Sequence, residues 1–237
     1  MGGRHGGCTA NPARGVKQVK ERKKRVFPKN EVVAQLVAFA RERGRLAPHS
    51  KGSCPPYLAA VAEIAFACRL RGIEVCDLTD ADVLSEGVRC RRRKGSLTTT
   101  TAWTPRLRLA VAELQARRSL TIKNKSGVTP LRAEDQPLLY SEDGAPLARS
   151  SLHSAWKRLL ASAVDTSVLS QSDEFGMHGL KRRGISNSEG TREKKKDGSG
   201  HATEQAFAIY DNEIKLVPAP VHPLEKVPAQ TKKRLEF

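Results

Sequence analysis

Between residues 30 and 43, the apolar side chains Val32, Val33, Leu36, Val37, Phe39 and Ala40 return every three to four positions. That spacing puts them on one face of an α-helix, which must bury its stripe against other elements. Asn30 is placed to cap this helix, with Glu31 in its first turn and Gly44 at its stop. The same period recurs over 56–70, where Leu58, Val61, Ile64, Ala65 and Phe66 form a denser apolar block. It appears again over 105–116, opened by Pro105, with Leu107, Leu109, Val111 and Leu114 expected inward. A further block over 150–163 carries Trp156, Leu159 and Leu160. Shorter helical stretches are expected over 72–76 and from His178, and a last helix over 203–214.

One stretch breaks this rhythm. Val88 to Lys94 is compatible with a strand, Gly95-Ser96 reads as a turn, and Leu97 to Trp103 is rich in β-branched threonine. A small, exposed, very basic β-hairpin is the natural reading. Leu138-Leu139-Tyr140 reads as another short strand, turned by Ser141 to Gly144, and 187–199 as a charged loop. The expected fold class is mainly α with a small antiparallel β-sheet (α+β). Aromatic residues are only 5% of the chain, so the core must rest on Leu, Val, Ile and Ala.

Charge narrows the partners. Lys and Arg number 42 against 25 Asp and Glu, a formal net charge of +17. Such a surplus favours a polyanion, and binding phosphates releases condensed counterions. Nucleic acid is the leading partner. An anionic membrane surface is less favoured, because the sequence has neither an apolar run near ~20 residues nor a basic amphipathic helix with large apolar anchors. The five cysteines include no C-x-x-C pair, which argues against zinc, and their odd number without a signal peptide suggests a reducing cytoplasm. Cys68 and Cys76 read as small core residues.

Residues 1–30 gather Lys17, Lys20, Arg22, Lys23, Lys24, Arg25 and Lys29, a run that is either simply solvated or a strap along phosphates. The segment 217–237 holds four prolines and the basic Lys232 to Arg234, and is expected to be extended.

Cutting DNA without a metal requires a nucleophile, cations to hold the non-bridging oxygens, and an acid for the departing oxygen. The last third of the chain offers these types: His178-Gly179-Leu180-Lys181, then Gly200-His201, then Tyr210 nine residues on. Nine residues of straight helix rise about 13 Å, too far for direct contact, so the chain would have to bend between them. Each residue also has an ordinary reading. Tyr57 and Tyr140 fit a core, and Tyr210 alone would too. His178 and His201 could serve as a cap or a surface group. Arg71 beside Glu74 is a common intrahelical pair, and Lys94 follows three arginines in what could be a solvated turn.

Taken in order, these stretches resemble the boxes of tyrosine recombinases of the phage-integrase type. There a His-x-x-Arg motif precedes Gly-His and, nine residues later, the nucleophilic tyrosine. Cys68 to Leu78, followed by Asp80-Ala81-Asp82, is similar to the first box, with Arg71 as its phosphate-binding arginine and Glu74 as that residue's structural partner. The hairpin is similar to the turn that presents the family's lysine, here Lys94. The resemblance covers about residues 11–216 and implies a catalytic set of Arg71, Lys94, His178, Lys181, His201 and Tyr210, with no metal or cofactor. It departs in one place: the family's second arginine falls on Lys181, an amine that cannot offer a bidentate fork. The neighbouring Arg182 and Arg183 point elsewhere on a helix.

The resemblance implies a tyrosine-type DNA strand transferase of a mobile element, acting on double-stranded DNA through a 3′-phosphotyrosyl link, as a tetramer on DNA, in the cytoplasm, with no membrane partner. It also implies three regions. Residues 1–30 would be a basic linker, too short to hold the family's N-terminal clamp domain; 31–216 would be the catalytic domain and 217–237 a C-terminal tail. The alternative is a truncated or decayed, non-catalytic DNA-binding relative. An RNA-binding protein is disfavoured by the lack of an aromatic-lined recognition sheet.

Overall fold

The computed structural model describes residues 26–93, 96–124 and 131–203, together with 205 and 207. Seven α-helices and one two-stranded sheet are seen among them: α1 (Asn30–Gly44), α2 (Tyr57–Ala67), α3 (Gly72–Cys76), β1 (Gly87–Cys90), β2 (Thr99–Ala102), α4 (Pro105–Asn124), α5 (Arg149–Asp165), α6 (His178–Ser186) and α7 (Arg192–Ser199). This is the mainly helical α+β class expected.

Helix α2 is the centre. Nine of its eleven residues, from Tyr57 through Ala65, are buried, and α1, α4 and α6 pack around it. A helix apolar on every side needs such an arrangement. All six apolar residues of the α1 stripe are buried, as are Trp156, Leu159 and Leu160 of α5. In α4 the buried set is Leu107, Ala110, Val111 and Leu114, the true i, i+3, i+4, i+7 stripe, and Leu109 is 51% exposed, contrary to expectation. Asn30 is the first helical residue and not the cap; its side-chain oxygen instead accepts from Asn187 Nδ2 at 2.8 Å. Cys68 is buried, while Cys76 is only half-buried.

The sheet pairs β1 and β2 antiparallel, with Val88 opposite Thr101 and Cys90 opposite Thr99. Its inner side is apolar, since Val88 and Cys90 are fully buried. The acidic pair after the first box explains how the sheet is held. Asp82 is buried and accepts from Arg89 Nε at 3.0 Å, and it pairs with Arg91. Burial alone would raise the Asp82 carboxyl, but the hydrogen bonds from Arg91 and Arg89 hold it below the ordinary range.

Two expected elements also differ. Residues 138–140 form no strand; Tyr140 makes a single bridge to Pro146. The charged segment 187–199 is not all loop, because 192–199 is α7. That helix has almost no apolar stripe and is defined by its ends: Thr191 Oγ1 accepts from the Lys194 N–H, and Gly200 closes it in the left-handed region at φ 71°. Of the last helix expected over 203–214, residues 205 and 207 are helical and Phe207 N–H donates to Thr203 O; the rest lies outside the described residues. No described helix is long and apolar enough to cross a membrane.

Candidate active site

Three separated segments meet at the buried carboxylate of Glu74. Helix α2 ends at Ala67, and Arg69 takes a left-handed backbone conformation, φ 53°, with the Leu70 N–H donating back to Ala65 O. A non-glycine residue there is strained, and Arg69's side chain is anchored in compensation, to Ser188 Oγ at 3.1 Å and Thr101 Oγ1 at 3.2 Å. The reversal delivers Arg71 to the start of α3. Its N–H donates to Glu74 Oε2 at 2.7 Å and its Nη1 to Glu74 Oε1 at 2.8 Å. The partnership expected from the sequence is therefore present, with an Arg71 side chain that keeps 26% exposure.

Lys181 comes from α6. Its side chain is fully buried, with Nζ 3.9 Å from Glu74 Oε2. Helix α6 comes this close to α2 because of Gly184, where a Cβ would stand 2.1 Å from the Phe66 carbonyl oxygen. Burial pulls the Lys181 amine down to about 7, with Arg92 and Arg71 pushing the same way and Glu74 opposing. Glu74 is shifted up by burial, yet the Arg71 N–H, Lys181 and the Arg71 guanidinium together hold it below its ordinary value.

His201 enters from the end of α7. It is 5% exposed, and its Nδ1 lies 2.6 Å from Ser199 Oγ. Burial, then the charges of Lys181, Arg92 and Arg71, push the imidazole down to about 4, so it is neutral near pH 7. The Gly in Gly200-His201 has a steric reason. Besides its positive φ, a Cβ there would stand 2.4 Å from Arg92 Cδ and 2.5 Å from Leu97 O, and Gly200 O accepts from the Leu97 N–H at 2.9 Å. Phe207 packs its ring 5.9 Å from the His201 ring.

His178, the first residue of α6, is half-buried. It shares with Arg71 a cavity of about 250 Å³ also lined by Gly72, Arg149, His153 and Met177. Arg71, Lys181 and His201 are thus brought together, and His178 opens onto the same cavity as Arg71. Arg182 and Arg183 do turn away, stacking on Phe27. Lys94 and Tyr210 lie outside the described residues. The residue before Lys94, Arg93, places its N–H 3.4 Å from Glu74 Oε1 and its Nε 2.9 Å from Asp77 Oδ2.

The sequence reading missed Arg92 and Ser199. Arg92 looked like one charge in a basic run, and no spacing rule distinguishes it from Arg91 or Arg93. Ser199 could have been noticed as a hydroxyl two residues before His201.

No family sequence model matches the chain, and no curated protein matches it by sequence. Its fold matches solved structures. The crystal structure of XerA recombinase superposes with a TM-score of 0.60 at 15% identity, over 82% of this chain and 62% of that one. A lambda integrase dimer bound to a COC′ core site gives 0.60 at 12% identity, over 90% of this chain and 56% of that one. The Tn1549 transposon integrase in complex with circular intermediate DNA gives 0.60 at 14%, over 81% and 62%. The chain has the fold of a tyrosine recombinase catalytic domain and spans less than two thirds of these relatives.

Proposed function

We propose that this chain is the catalytic part of a site-specific DNA recombinase, a tyrosine-type strand transferase that integrates or excises a mobile element. The observation that carries the reading is that Arg71 and Lys181, from distant segments, both face the buried Glu74 carboxylate, with His201 of a third segment within electrostatic reach of all three. Cations gathered in a partly dry pocket are suited to the charge that develops on a phosphorus centre under attack.

In this reading Tyr210 is the nucleophile. Its phenolic oxygen bonds to the phosphorus, giving up its proton with help from His178, and the bond from phosphorus to the 5′-oxygen breaks. Lys94 donates a proton to that leaving oxygen. The products are a 3′-phosphotyrosyl link and a free 5′-hydroxyl. Attack by the 5′-hydroxyl of a partner strand reverses the step, so the phosphodiester energy is conserved and neither ATP nor a metal is consumed. Arg71, with its partly open guanidinium, holds a non-bridging oxygen by paired N–H donors. Lys181 adds charge from beneath, and neutral His201 donates a hydrogen bond to the other oxygen. Four protomers would act on two duplexes, residues 1–30 lying along phosphates and 217–237 reaching a neighbour.

A nicked duplex that traps the covalent intermediate tests this. The full chain should become linked to DNA, and Tyr210→Phe should not. An adduct retained by Tyr210→Phe would refute the assignment. One observation favours a second reading, a DNA-binding relative without turnover: the Lys181 amine is fully buried and holds its proton only up to about pH 7. Salt-sensitive duplex binding with no adduct at any pH would establish that alternative.

A further inference from the structure

One guanidinium outside the set above bridges the turn after α2, the end of α7 and the hairpin. Arg92 Nη1 donates to Arg69 O at 2.7 Å. Its Nη2 donates to Cys68 O at 3.1 Å, to Gly198 O at 3.2 Å and to Thr99 Oγ1 at 3.3 Å. Cys68 and Arg69 follow the C-terminus of α2, and Gly198 is in the last turn of α7. Helix C-termini carry outward-facing carbonyls and partial negative charge. A planar fork with five donors can satisfy two such ends at once, whereas an amine offers a point charge on a flexible stem.

The spacing along the chain gives these contacts their meaning. Arg69 O is two residues before Arg71. Gly198 O is three residues before His201. Arg92 itself is two residues before Lys94. Gly200 lies directly against the stem of Arg92, so close that any side chain at 200 would displace it.

We infer that Arg92 is a positioning residue, which holds the Arg71 turn, the α7 end that delivers His201 and the strand leading to Lys94 in fixed register. The inference rests on the recombinase reading for its catalytic consequence. Its structural part, that Arg92 sets the surroundings of His201, stands apart from that reading. His201 is influenced by the charges of Lys181 from α6, Arg71 and Glu74 from the α3 turn, and Arg92 from the hairpin; removing Arg92 takes away one of these four charges.

The unaltered chain is compared with Arg92→Met and Arg92→Lys by duplex affinity, by single-turnover adduct formation at saturating DNA, and by NMR titration of the His201 ring. For Arg92→Met, adduct formation should slow about a hundredfold, the cost of misplacing reacting groups by roughly 1 Å. Affinity should change less than about threefold, since the Arg92 fork is occupied by protein acceptors and salt-sensitive affinity comes from cations that reach phosphate. The His201 midpoint should move up from about 4. Arg92→Lys keeps the charge but not the fork, and should slow the step roughly tenfold. Methylguanidine added to Arg92→Ala should recover part of the rate. Wild-type adduct rates in either variant, or an unmoved His201 midpoint in Arg92→Met, would overturn the inference, as would equal losses of affinity and rate. If Arg92→Met does not fold, Arg92→Lys and the methylguanidine rescue carry the decision. If the unaltered chain forms no adduct, the recombinase reading is what fails, and the His201 titration alone decides the role of Arg92.

Discussion

Lys181 Nζ stands 3.9 Å from Glu74 Oε2, with both side chains wholly removed from solvent. A buried amine is expensive unless a carboxylate faces it. Glu74 does more than face Lys181, because it also accepts from the Arg71 N–H, the Arg71 Nη1 and the Arg93 N–H. Glu74→Gln would keep an acceptor but remove the charge, leaving Lys181 and Arg71 uncompensated. It should cost roughly 3 kcal/mol in denaturant unfolding, read as a lower midpoint at constant slope. Glu74→Gln combined with Lys181→Met should recover part of that loss, because the second change removes the stranded charge. Additive losses in the pair would show that the two groups do not interact.

The amine itself gives a pH dependence. Folded, Lys181 releases its proton near pH 7; unfolded, it keeps it to the ordinary 10.5. Between those values the unfolded chain binds the extra proton, so the amine's contribution to stability improves as pH rises through that window and is least favourable below 7. The stability of the unaltered chain relative to Lys181→Met should therefore increase from pH 7 to pH 9. Activity should run the other way. At sub-saturating DNA the rate reports the free protein, and adduct formation should fall by about tenfold per pH unit above 7 as Lys181 loses its charge. Lys181→Arg, which cannot lose its proton, should flatten that decline. A rate that climbs steadily from pH 6.5 to 8.5 in the unaltered chain would contradict this use of Lys181.

Much of this arrangement was legible in the residues, and the exceptions share a cause. The helical stripes of α1, α2 and α5 could be read because burial repeats at the helix period. So could the Arg71–Glu74 pair, since three residues across a helix start bring such side chains together. Helix α7 was read as loop because its stabilisation is at its ends, in Thr191 and Gly200, and not in an apolar face. Leu109 was assigned inward because it is leucine, although its position lies off the stripe that Leu107, Ala110, Val111 and Leu114 define. Arg92 was invisible for a deeper reason. Three of its four partners are backbone carbonyls from residues 23, 24 and 106 positions away, and backbone acceptors have no sequence identity to read.

His201 predicts the acid limit of the fold. Burial, aided by Lys181, Arg92 and Arg71, lowers the ring from 6.5 to about 4. The unfolded chain therefore takes up a proton first as pH falls. The stability this histidine contributes is complete above pH 6.5 and is lost progressively between 6.5 and 4. Thermal midpoints measured from pH 7.5 to 4.5 should fall less steeply in His201→Asn than in the unaltered chain. Parallel curves would mean that the imidazole is not held neutral by its surroundings.

The approach of α6 to α2 offers a test of the frame that carries Lys181. A methyl group at Gly184 would stand 2.1 Å from Phe66 O and 3.3 Å from the Arg69 Cγ. A backbone carbonyl cannot move aside as a side-chain tip can, so the helices must separate. Gly184→Ala should lose roughly 1–3 kcal/mol, the usual cost of overpacking. Because Lys181 is one turn before Gly184, the same displacement should slow adduct formation. Gly176→Ala is the matched control: nothing lies within 4 Å of a Cβ there, and the lost chain freedom should leave stability unchanged or raise it by about 0.4–1 kcal/mol. Equal stabilities for the two alanine variants would mean that α6 is not pressed against α2 at Gly184, and the depth at which Lys181 is buried would then need a cause other than this close helix contact.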